Sequence, residues 1–126
     1  MTRTEADFNK LKQAILDDTE ISDETKHFVK LLWDTVWVNL DIVMRARFPK
    51  GSYTAEDEFQ SLFGVLKYIT TINAPYTVPE KGTPKEMLPG LLTGLLMSVG
   101  EKIVLFELMQ KIQMEWYPEN PELMKV

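Results

Sequence analysis

Between Ser22 and Pro49 lie 26 residues without a glycine or a proline, and apolar side chains recur on almost every side of that stretch. Apolar positions at three- and four-residue spacing over such a length predict a helix. A helix that is hydrophobic most of the way round has to be covered on several sides. The chain is therefore expected to wrap other helices around this one. Its limits are plain. Ser22-Asp23-Glu24 supplies a cap and first-turn acids. Pro49 forces Phe48 out of helical geometry, and Gly51 follows.

Three further blocks have starts of their own. Thr4 caps a first helix with Asp7 three residues later, and Phe8, Leu11, Ala14 and Ile15 give it one apolar face. Asp17-Asp18 opposes the helix dipole, so that helix ends there. Thr54-Ala55-Glu56-Asp57 opens a third helix with Phe59, Leu62, Phe63, Leu66 and Ile69 on a regular face, ending before Pro75. Asn73 to Pro84 holds three prolines and one glycine in 12 residues and is read as a long loop. Thr83-Pro84-Lys85-Glu86 then suggests a short turn from Pro84 to Leu88. A last helix is expected from Pro89 to Tyr117, bent or broken at Gly100. A strand over Ile103–Phe106 is the lesser alternative. The tail from 118 to 126 is expected to be loose.

With 126 residues this is one domain, 1–126, long enough to bury a core without staples. The expected fold is all-α: a bundle of four main helices with a long Pro-rich loop before the last. Hydrophobic residues make up 44% and charged residues 26%, the balance of a soluble globular chain. Met87 to Gly100 is uncharged but only 14 residues long, too short to span a membrane. The acidic start Met1–Asp7 has no apolar run behind it and does not read as a secretory signal, which favours the cytoplasm.

Composition removes most chemistry. The net charge of −5 argues against a nucleic-acid backbone or an anionic membrane as partner. With no cysteine there is no disulfide, thiolate nucleophile or Cys-ligated zinc. Glu24-Thr25-Lys26-His27 has the Glu-x-x-His spacing of di-iron bundles, but those sites need two such motifs and this chain has one histidine. Glu56, Asp57 and Glu58 are consecutive and point different ways on a helix. Gly90-x-x-x-Gly94 lacks the Lys-Ser/Thr of a P-loop. No catalytic residue, metal site or cofactor is expected, and the chain is read as not an enzyme.

Helix faces then carry the functional reading. At about 100° per residue, Lys30, Asp34, Asp41 and Arg45 fall on one stripe of the second helix with His27 alongside. Trp33, Trp37, Met44 and Phe48 cluster on the edge beside it. Trp and Met are frequent interface anchors, so these four are the candidate partner-binding residues. Thr35 and Asn39 fall within the apolar face and are candidates for orienting a small ligand. Gly90, Gly94 and Ser98 form a smooth strip in the last helix, a candidate helix-packing seam. The leading expectation is a non-enzymatic interaction module: an adaptor, assembly factor or inhibitor of a basic-surfaced protein, in the manner of small phage and mobile-element proteins. A homodimer seam formed by the second and fourth helices is compatible with it. The alternative is a bundle enclosing a small apolar ligand.

Overall fold

The computed structural model describes residues 3–72 and 98–124. The described residues form four helices, α1 (Glu5–Asp17), α2 (Asp23–Arg47), α3 (Ala55–Ile72) and α4 (Val99–Trp116), followed by a short 3-10 turn, Pro121–Met124. No strand occurs among the described residues, and Ile103–Phe106 is helical. None of the described helices is long and apolar enough to cross a membrane.

Each helix start is built from a side chain that satisfies amides the helix leaves open. Thr4 and Asp7 form a reciprocal box: the Asp7 amide donates to Thr4 Oγ1 at 3.3 Å, and the Thr4 amide donates to Asp7 Oδ2 at 2.8 Å. Thr54 and Asp57 repeat the arrangement at α3. Ser22 accepts from the Thr25 amide at α2, and Ser98 from the Glu101 amide at α4. The end of α2 is also as the sequence suggests. The Phe48 amide closes the last turn on Met44, and Gly51 turns the chain with φ +77°, a conformation that favours glycine.

The helices run alternately up and down. At one end Arg3, before α1, meets Glu58 in the first turn of α3 and Tyr117 at the end of α4. Toward the other, Asp18 after α1 meets Lys111, and Ser22 at the start of α2 meets Glu107. The core lies between: Phe8, Leu11 and Ile15 from α1, the Phe28 to Met44 face of α2, Phe59 to Ile69 of α3, and Val104 to Ile112 of α4. Trp33 and Phe8 bind it together, with ring centroids 5.7 Å apart and the indole N–H donating to the Phe8 carbonyl at 2.8 Å. A buried indole needs such an acceptor.

Two expectations are corrected here. The described part of the last helix begins at Val99, capped by Ser98 in extended backbone, so Ser98 is not inside a helix that runs through from Pro89. The tail is not loose at Pro121–Met124, where Leu123 and Met124 pack against the core. The Pro-rich loop Asn73–Pro84, the turn to Leu88, and Gly90 and Gly94 lie outside the described residues.

Candidate interaction surfaces

The Trp/Met edge of α2 is largely an internal surface. Trp33 is 1% exposed, and Met44 is buried with it. Trp37 is half-buried and packs on the same core; Phe48 packs on it too and meets Tyr53 at 5.6 Å between ring centroids. Trp37 and Met44 also line a pocket of about 10 Å³ beside Phe8, room for one water at most. All four lie in the core or pack against it. A helical wheel of α2 lacks the position of α1, whose Phe8 meets Trp33 and lines the same small pocket as Trp37 and Met44.

Thr35 and Asn39 are also displaced from expectation. Thr35 is exposed, and Asn39 is half-buried, donating Nδ2–H to the Thr35 carbonyl at 2.8 Å. They border solvent, not the core. Asn39 lines an open groove between α2 and α3 of about 480 Å³, with Val43, Arg47, Ser61, Gly64 and Tyr68. Its mixed lining and open mouth do not make an enclosed apolar pocket.

The apolar residues that do face solvent lie elsewhere. Leu31, Val38 and Ile42 are exposed on the outer side of α2. On α4 the outer face is more continuous. Val99 (68% exposed), Ile103 (40%), Phe106 (59%) and Met114 (62%) stand at spacings of four, three and eight residues. Gln110 fills the gap, so five positions form one uncharged stripe opposite the core face of Val104, Leu108 and Ile112. Phe63, exposed on α3, lies one turn beyond Phe59, whose ring meets Tyr117 edge-on at 5.7 Å. It thereby extends the α3 edge that borders α4.

Among the described residues, three polar clusters join segments at least 55 positions apart. Glu58 is buried and accepts from the Tyr117 hydroxyl and, at 3.2 Å, from Arg3 Nε. Arg3 also donates to the Trp116 carbonyl and lies over the Trp116 ring, 4.6 Å from its centroid. Burial, and then the Glu58 carboxylate, raise the Tyr117 phenol well above its ordinary value. Burial works against the Arg3 cation, but Glu58 and Tyr117 together outweigh it, and the guanidinium is held more firmly protonated. Glu107 accepts from Ser22 Oγ and Thr25 Oγ1, both at 2.5 Å, and from the Ser22 amide. Lys111 donates to Asp18 at 2.9 Å and pairs with Glu115 at 3.3 Å. Its hydrogen bond to Asp18 raises the Lys111 pKa and lowers that of Asp18.

These clusters escape sequence reasoning because each joins residues at least 55 positions apart. A buried acid in the first turn of α3 reads, in sequence, like any other dipole-favoured acid. All three clusters brace the bundle and bring no nucleophile or base to an open cavity. His27 is exposed, and no group of His, Cys, Asp and Glu among the described residues is arranged to hold a metal ion. Neither a known protein family, nor a curated protein, nor a solved structure matches this chain.

Proposed function

We propose that this chain is a non-enzymatic protein-interaction module that pairs with a second copy of itself through the outer face of α4. The observation that carries the reading is the uncharged stripe Val99–Ile103–Phe106–Gln110–Met114. Alternation of four and three residues is the spacing at which one helix seats its side chains between those of another. A face that pairs with its own copy needs to be self-complementary, and an uncharged stripe sets no like charges against each other. A lone polar residue such as Gln110 within an apolar seam fixes register. Apolar contact on this scale, with Phe63 alongside, makes a modest interface, suited to a dimer that forms and separates with concentration.

The acidic surface then serves a second partner. Asp17, Asp18, Glu20, Asp23 and Glu24 place five carboxylates in eight residues at the turn between α1 and α2. Lys111 engages Asp18, while Asp17, Glu20, Asp23 and Glu24 are exposed. That density suits a basic protein surface, which it would attract at long range and occlude on contact. The module acts as an assembly factor or inhibitor, by contact and without chemistry.

Light scattering on a sizing column, at two concentrations, tests the pairing. The expected mass at the higher concentration is twice 14.6 kDa, and Phe106→Glu returns it to the monomer. A wild-type chain that is monomeric at both concentrations, or a Phe106→Glu variant that stays dimeric, overturns the reading.

A further inference from the structure

The groove between α2 and α3 holds a glycine that no contact among the described residues explains. Gly64 lies in the middle of α3, where glycine weakens a helix relative to alanine. Close packing within the chain is the usual reason for one there, and among the described residues none exists: a Cβ on Gly64 would meet nothing within 4 Å. The residue faces the open groove of about 480 Å³, with Val43 and Val65 in its lining and Tyr68, 61% exposed, beside it.

The second feature is charge. In a chain of net charge −5 none of the described residues that line this groove is acidic, and Arg47 is among them. Arg47 is held in place. It donates to Ser61 Oγ at 2.6 Å, Ser61 in turn donates to the Asp57 carbonyl at 2.8 Å, and the guanidinium lies 5.0 Å from the Phe48 ring centroid. The Arg47 side chain is nevertheless exposed. It offers a fixed fork of donors to an incoming carboxylate.

We infer that the α2/α3 groove docks an amphipathic helix of another protein, whose backbone crosses α3 at Gly64 and whose terminal turn places a carboxylate on Arg47. The occupant is a helix because α2 and α3 satisfy their own backbone groups and offer no strand edge. Between two antiparallel helices a third packs ridge into groove, and the missing side chain at Gly64 lets it approach closely. This shares only the class of activity with the α4 pairing, since it uses another face.

The probe is a displayed library of 14-residue helix-forming peptides, with one face randomised and Glu or Lys allowed in the last turns, selected on the full chain. The best selected peptide is then titrated by fluorescence anisotropy against four forms of the chain. Enriched peptides are expected to carry an acid near one end. Gly64→Leu and Arg47→Glu are expected to weaken binding at least tenfold, while Phe106→Glu binds as the wild type does. Changing the peptide's acid to Lys restores binding to Arg47→Glu. Gly64→Leu puts a better helix former in mid-helix and is expected to hold or raise the urea midpoint, a measurement that separates lost binding from misfolding; it decides the matter if Arg47→Glu fails to fold. The proposal is overturned if no peptide is enriched, or if the selected peptides are indifferent to both groove variants. It is also overturned if a groove variant changes the mass of the chain in solution, which would make the occupant a second copy. A wild-type monomer would end the α4 reading and leave this titration as informative as before.

Discussion

Asp18 and Lys111 show how a single pair writes itself into the pH dependence of the whole fold. The Asp18 pKa lies below its ordinary 3.8 in the folded chain and that of Lys111 above its ordinary 10.5, each mainly through their shared hydrogen bond. A depressed carboxylate pKa contributes stability that is present above the unfolded value and lost as pH falls through the folded one. A raised ammonium pKa contributes stability that is present below the unfolded value and lost as pH rises through the folded one. The pair therefore stabilises across the window between the two. Urea unfolding of wild type and Asp18→Asn should differ by a constant amount from about pH 5 to about pH 9 and converge at both extremes. A difference that persists at low pH would assign the effect to something other than the ion pair. The Glu58 cluster makes a sharper demand, because its acid is buried. Tyr117→Phe removes one of the donors to a desolvated carboxylate and should lower stability by about 1–3 kcal/mol in the same assay. None of this was legible beforehand, since Arg3, Glu58 and Tyr117 belong to three different segments and only the fold brings them together.

Helices are the scale at which reading and structure agree best, and the reason is that their signals are local. Thr4, Ser22 and Thr54 act within three residues of themselves, so the starts of α1, α2 and α3 could be read from neighbouring letters, as could the stop at Pro49. Packing is not local. The wheel of α2 gathers Trp33, Trp37, Met44 and Phe48 on one edge but cannot say that α1 lies against it. The last helix shows the same limit from the other side: in sequence Ser98 reads as one of three small residues spaced by four, and its capping role emerges only with the extended backbone at that position. One start also depends on a distant residue. Glu107 of α4 receives the Ser22 amide and the hydroxyls of Ser22 and Thr25, and Thr25 is fully buried. Glu107→Ala leaves those donors without a carboxylate. It should cost about 1–3 kcal/mol and speed amide hydrogen exchange in the first turn of α2 while the middle of that helix stays protected. Uniform loss of protection would mean that Glu107 supports the whole bundle and not this one start.

At the scale of the molecule, the question raised by the sequence was where so much apolar surface goes. Part of α2 and α4 fills the core, as a central helix requires. The rest, on both helices, faces outward: Leu31, Val38 and Ile42 on one, Val99, Ile103, Phe106 and Met114 on the other. On the inner face of α4 Val104, Leu108 and Ile112 are fully buried, while the outer stripe stays exposed. Folding and pairing should therefore separate. Leu108→Ala opens a cavity and is expected to cost about 2–5 kcal/mol at any protein concentration. Phe106→Glu changes a side chain outside the core, so the folded monomer should keep its stability to within about 0.5 kcal/mol. Pairing adds stability by mass action. The thermal midpoint of the wild type should accordingly climb with concentration and approach that of Phe106→Glu on dilution, whereas the midpoint of the variant should not move. Should both chains have the same midpoint at every concentration, the outer stripe of α4 would not be joining two copies, and its apolar surface would have to be matched by a different partner.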